Sequence, residues 1–168
     1  ADSLTFSGPY AQLPAAALQI REGTVVVEGC ALTVGNDVRL LATNAGSFAR
    51  LVVTNGGSIA MTNEGGNIVV GYAGDVAGST NVLDVAGTVS TAAGGTIGNI
   101  NLGNSSDLAD ANLVNLHSSG VLEVHKVSTA SSNHYSEFNF YGGTLRSIST
   151  DGANVFMQGL SNVFVHAG

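Results

Sequence analysis

The stretch Leu51-Val52-Val53-Thr54-Asn55-Gly56-Gly57-Ser58-Ile59-Ala60-Met61-Thr62 holds the pattern on which the fold rests. Leu51 and Val53 flank Val52, and Ile59 and Met61 flank Ala60, so each run has the period of two that buries one face of a strand. Between the runs stands Asn55-Gly56-Gly57. Asn and Gly adopt positive φ cheaply, as a sharp change of direction requires. A third run, Asn67 to Tyr72, follows Gly65-Gly66. Three strands separated by glycine-bearing corners describe one triangular coil.

The first of these runs recurs along the whole chain. Leu4-Thr5-Phe6, Val25-Val26-Val27, Leu51-Val52-Val53, Leu83-Asp84-Val85, Val114-Asn115-Leu116, Phe138-Asn139-Phe140 and Val163-Phe164-Val165 each precede glycine, at intervals of 21, 26, 32, 31, 24 and 25 residues. Second strands are expected at Ala31 to Val34, Val89 to Thr91, Val121 to Val127 and Thr144 to Ile148. Third strands are expected at Val38 to Ala42, Ile97 to Leu102 and Val155 to Met157. Variable spacing places the excess in loops. Helical periodicity is nearly absent, with weak candidates only at Ala15 to Arg21 and Asp107 to Leu116. Asn-Gly is also a hairpin signal, which makes an antiparallel meander the competing reading. Recurrence by coil favours an all-β, right-handed, single-stranded parallel β-helix of about six to seven coils with three short strands each, in which neighbouring coils bury one another's inward side chains.

Composition agrees. The chain of 168 residues fits a single domain spanning 1–168, and its apolar 44% comes largely from Val, Leu, Ala and Ile, with six Phe, four Tyr and no Trp. Charged residues are 10%, against about 25% in ordinary globular domains. Five Lys and Arg against twelve Asp and Glu give a formal charge of −7, which repels a phosphate backbone and argues against nucleic acid as a partner. Cys30 is the only cysteine, so packing and backbone hydrogen bonds, not an intrachain disulfide, hold the fold. No stretch reaches the roughly 18 apolar residues of a membrane helix, and membrane insertion is not expected. The pattern opens and closes in mid-repeat, so the expectation is a piece of a longer repetitive chain. Its partners would be flanking coils or identical chains stacked end to end.

The runs Asn139-Phe140-Tyr141-Gly142-Gly143-Thr144-Leu145-Arg146 and Gly159 to Gly168 carry a family resemblance. They resemble autotransporter-associated β-strand repeats, and Leu51 to Met61 and Asn67 to Gly71 are similar to the segments that surround such repeats in large bacterial surface proteins. The resemblance spans about two-thirds of the chain. It implies a β-helical passenger or stalk, secretion or cell-surface display, adhesion and extracellular scaffolding. It brings no shared catalytic residue, and no outer-membrane barrel is present in this sequence.

Some β-helices cleave or bind polysaccharides, so the acids and bases matter. Asp84 points outward between inward Leu83 and Val85, with Asn115 and Asn139 at the equivalent positions of the next coils. With Tyr141 they form the candidate glycan-contact face, whose bland reading is a solvated polar stripe. Asp75, Asp107 and Asp110 offer hard oxygens, but their spacing matches neither an EF-hand nor a calcium-binding glycine repeat. His117, His125 and His134 lie within one and a half coils, His125 on an exposed strand end and His117 in a turn, with no spacing that brings them onto a metal. Gly94-Gly95-Thr96-Ile97-Gly98 is a turn and strand rather than a phosphate loop. The reading is of a structural or adhesive scaffold, extracellular or on the bacterial surface, with no enzyme activity, cofactor or metal. The alternative is a carbohydrate-binding or polysaccharide-degrading β-helix.

Overall fold

The structure, a computed structural model, describes residues 2–14, 16–63, 66–72, 76–91, 98–103, 110–129, 134–149 and 155–167. The first coil is β1 (Ser3–Ser7), β2 (Tyr10–Leu13) and β3 (Leu18–Ile20), and the second β4 (Gly23–Glu28), β5 (Ala31–Val34) and β6 (Val38–Leu40). The third is β7 (Phe48–Thr54), β8 (Ser58–Met61) and β9 (Ile68–Val70), and the fourth β10 (Thr80–Val85), β11 (Thr88–Ser90) and β12 (Ile100–Leu102). The fifth is β13 (Ala111–His117), β14 (Val121–Val124) and β15 (Val127–Ser128), and the sixth β16 (Tyr135–Tyr141), β17 (Thr144–Ser147) and β18 (Met157–Gln158). β19 (Asn162–Val165) opens a seventh.

Every third strand pairs. β1-β4-β7-β10-β13-β16-β19 form a seven-stranded sheet, and two six-stranded sheets hold the second and third strands of each coil. Pairing between the named strands is parallel throughout, from β1 on β4 to β16 on β19. The fold is therefore a parallel β-helix with three strands per coil, and the antiparallel meander is excluded. A meander joins neighbours in sequence, whereas here each strand pairs with one a full coil away.

Register follows from the repeat. Leu4, Val25, Leu51, Leu83, Val114, Phe138 and Val163 stand in one row across the long sheet, and Phe6, Val27, Val53, Val85, Leu116, Phe140 and Val165 in the next inward row. The seven runs seen in the sequence are its seven strands. Leu32, Ile59, Val89 and Leu122 line the second sheet from inside, and Leu40, Val70 and Leu102 the third, all fully buried. A one-residue slip would turn every such row outward, so burial holds the register. Cys30 lies within this core as a small apolar side chain.

The corner between the long and second sheets admits the small Cys30 side chain in the second coil, but in the third to sixth coils it has no room for one. A Cβ at Gly57 would lie 2.2 Å from the Val27 carbonyl oxygen, at Gly87 2.2 Å from that of Gly57, at Gly120 2.2 Å from that of Val85, and at Gly143 2.3 Å from that of His117. These glycines are a steric requirement of close backbone stacking. Asn55 (φ 48°) and Gly56 (φ 76°) are the separate, conformational requirement of the turn.

Departures from expectation lie in the shorter strands. The weak helical candidate at Ala15 to Arg21 contains β3, and that at Asp107 to Leu116 runs into β13; pairing across coils overrides a local pattern with no partner of its own. Val121 to Val127 is two strands, broken at His125-Lys126 where the chain turns into the third sheet. β2 lay outside the expected strands because Tyr10-Ala11-Gln12-Leu13 is only half-buried, with small Ala11 as an inward residue.

Two substitutions separate the corner from the core. Gly87→Val should force overlap with the Gly57 carbonyl and lower stability by about 1–3 kcal/mol or more. Leu83→Ala should cost about 2–5 kcal/mol by leaving a cavity. Urea unfolding followed by circular dichroism measures both, and a wild-type midpoint for Gly87→Val would show that the corner can open.

Candidate functional site

The outward face of the long sheet carries a row of polar side chains. Strand register places Val52, Asp84, Asn115, Asn139 and Phe164 in one outward row, with His117 and Tyr141 two residues further along their strands. Identical positions on stacked coils stand one strand spacing apart, about 4.8 Å, so short amides and carboxylates reach one another.

They form a continuous ladder. Arg50 Nε donates to Asp84 Oδ2 at 2.6 Å, and Asn115 Nδ2 donates to Asp84 Oδ1 at 2.9 Å. His117 Nε2 stands 3.3 Å from the same Oδ1. Asn139 Nδ2 donates to Asn115 Oδ1 at 3.0 Å and to Glu137 Oε1 at 2.5 Å. Asn139 Oδ1 faces His166 Nε2 at 3.0 Å, so that ring nitrogen carries the proton. Beside the ladder the rings stack: His117 on Tyr141 with centroids 5.4 Å apart, and Tyr141 on His166 at 4.2 Å. His166, which reads as a turn residue in the sequence, caps this stack.

All four residues of the candidate glycan face, Asp84, Asn115, Asn139 and Tyr141, therefore meet in one patch. Their arrangement favours holding the coils together. Asp84 and Asn139 are each only 4% exposed, with their polar atoms engaged by neighbours, while Asn115 and Tyr141 are half-exposed. Asp84 is the ion-pair partner of Arg50. Tyr135 donates its hydroxyl to the Glu137 carboxylate and accepts from Asn162 Nδ2 at 3.1 Å. The bond to Glu137 holds the phenolic proton and raises the Tyr135 pKa above its ordinary value.

A second polar ladder lies inside the solenoid. Ala42 N–H donates to Asn81 Oδ1 at 2.9 Å, Asn81 Nδ2 to Asn112 Oδ1 at 3.0 Å, and Asn112 Nδ2 to Asp110 Oδ2 at 3.0 Å. His134 Nδ1 closes the chain on Asp110 Oδ1. Glycines make room for it: a Cβ at Gly71 would lie 2.1 Å from Asn112 Oδ1, and one at Gly103 2.5 Å from the His134 ring. An aspartate holding Nδ1 of a histidine is how catalytic imidazoles are oriented, but both side chains have 0% exposure, so no substrate reaches this pair as it stands. Its effect is to satisfy buried polar groups and fix the coil ends. The sequence contains a signal for it. Asn81, Asn112 and Ser136 occupy inward positions of their strands, two residues before Leu83, Val114 and Phe138, where an apolar residue is expected.

The three histidines are separated. His117 faces outward, and His134 is internal. His125, expected on an exposed strand end, is buried against Gly98 and Thr91, because the chain turns inward there to start β15. Among the described residues its Nε2 has no hydrogen-bond partner. Among the described residues no group of three His, Cys, Asp or Glu side chains is placed to hold a metal ion. Asp110 is committed to the internal ladder, while Asp75 and Asp107 lie outside the described residues.

No protein-family model, curated protein or solved structure matches this chain.

The two ladders should differ in energetic weight. Asp110→Ala removes an acceptor from buried Asn112 and His134 and should cost about 1–3 kcal/mol or more. Arg50→Ala removes the half-exposed partner of Asp84 and should cost about 0–1 kcal/mol. Chemical denaturation of the two variants gives the order, and equal losses would mean that the outer ladder bears as much of the stability as the inner one.

Proposed function

We propose that this chain is a structural, adhesive β-helical scaffold: a rigid section of a secreted or cell-surface bacterial protein, of the passenger or stalk kind that its autotransporter-like repeats resemble. The observation that carries this reading is the self-sufficiency of the stacked rows. Apolar side chains run unbroken through the described coils, and the outward polar groups spend their hydrogen bonds on neighbouring coils rather than turning them toward a common substrate position. A catalytic pair of carboxylates needs a proton donor and a base facing shared space. Here Asp84 is held by Arg50 and Asn115, Glu123 by Arg146, and Asp37 by Arg39. The scaffold reading needs no cofactor and no catalytic step.

Both outermost coils present strand edges with inward-row side chains partly in solvent: Leu4 at one end, Val163 and Val165 at the other. Apolar strand edges of this kind favour further pairing. The partners they suit are flanking coils of a longer chain or identical chains stacked end to end, in which β19 would meet β1 in the register already used by the coils within.

Electron microscopy of the purified chain tests end-to-end stacking. The expected result is filaments whose axial repeat is a whole number of coils of about 4.8 Å each, abolished by Val165→Asp. Dispersed particles at high concentration would overturn self-stacking and leave flanking coils as the only stacking partner.

A further inference from the structure

At the starts of four of the long-sheet strands, β7, β10, β13 and β16, Phe48, Thr80, Ala111 and Tyr135 stand in register in one outward row. Its ends are exposed aromatic rings, Phe48 at 37% and Tyr135 at 44% exposure, and its middle residues are small. Two residues further along, Arg50, Val82, Leu113 and Glu137 form the adjoining row, with Val82 and Leu113 half-exposed between a cation and a carboxylate. A groove of about 400 Å³ lies against Phe48, Arg50, Thr80 and Val82. A second, of about 410 Å³, continues past Phe48 to Asp2 and Glu22.

We propose that these two rows, which run from the grooves at Phe48 across the open sheet face to Tyr135, bind an extended oligosaccharide of uncharged pyranose units, lying along the solenoid axis and stacked at its ends on Phe48 and Tyr135. Three strand steps of about 4.8 Å separate the two rings, about 14 Å in all, close to the length of three pyranose units in an extended chain. A pyranose presents C–H groups on its faces and hydroxyls around its edge. The faces suit aromatic rings and the half-exposed Val82 and Leu113. The hydroxyls suit carboxylate oxygens, each of which keeps a second lone pair when one is taken: Glu137, which accepts from Tyr135 and Asn139, at one end, and Glu22, which accepts from Thr43 and Asn44, with Asp2 at the other. Thr80 and Ala111 leave the floor between the rings low enough for a flat chain. Charge selects the ligand class: Arg50 is already paired with Asp84, so among the described residues the charges along these rows without an ion-pair partner are carboxylates, whose hydrogen bonds come from neutral donors and which repel uronates and sulfated glycans. The binding face thus lies beside the Asp84–Asn139 ladder, whose groups are occupied.

The test is calorimetric titration of the intact chain with cellohexaose, xylohexaose and mannohexaose, with hexagalacturonate as the anionic comparison. Saturable binding of at least one neutral hexasaccharide and none of hexagalacturonate is expected. Phe48→Ala and Tyr135→Ala should each weaken that binding about tenfold. Ala111→Arg, which fills the space between the rings while sparing both, should abolish it. Thermal melts identify any variant that has lost its fold, and Ala111→Arg keeps the test decisive if a ring variant does. Binding by no neutral probe, stronger binding of hexagalacturonate, or unchanged affinity in folded Ala111→Arg would overturn the proposal. Filament formation is read separately by microscopy, so either reading can fail while the other stands.

Discussion

Parallel backbone pairing between successive coils sets the dimensions of everything else in this molecule. Each coil lies one strand spacing, about 4.8 Å, above the last, and the hydrogen bonds that hold it there run along the solenoid axis. Atoms at equivalent positions are forced into contact whatever they are. Where they are Val, Leu and Ile, the contact is a core that no single coil can make alone. Where the backbones meet at the corners of the third to sixth coils, the same spacing leaves no room for a Cβ, as the carbonyls beside Gly57, Gly87, Gly120 and Gly143 show.

The polar rows obey the same rule with different chemistry. An amide has a donor and an acceptor on one short side chain, so Asn stacked on Asn or Asp links adjacent coils in a chain of bonds. Among the described residues it does so outside at Asp84, Asn115 and Asn139 and inside at Asn81, Asn112 and Asp110. The outer chain is half-screened by solvent. The inner one lies in a low-dielectric interior where each bond is stronger and an unmet group costs more. A row suited to a ligand must escape this self-satisfaction. The ring faces of Phe48 and Tyr135 do so because three strand steps separate them and the residues between, Thr80 and Ala111, carry no ring, although the Tyr135 hydroxyl is bonded to Glu137 and Asn162.

Legibility in the sequence followed strand length. The seven strands of the long sheet were visible because an apolar-x-apolar run before glycine survives any loop length between copies. The candidate face was visible for the same reason, since Asp84, Asn115 and Asn139 occupy the middle of that run. The third sheet was less distinct. Strands of two or three residues such as β15 and β18 carry too few positions to show an alternation. The burial of His125 is not legible in the sequence, because it depends on where the chain turns between β14 and β15 and the continuous run Val121 to Val127 contains no turn signal.

The sequence by itself determined the repeat, the strand count per coil, the inward and outward sets of the long sheet, and the glycine-bearing corners, because each is a local pattern whose physical cause acts over a few residues. Only the tertiary structure decided how the rows use their side chains. Asp84 and Asn139 are consumed by their neighbours; Asp110 and His134 are sealed inside; Phe48 and Tyr135, 87 residues apart in sequence, share one row. Those outcomes depend on which residues the coil-to-coil register superposes, and the register is a property of the stacked whole.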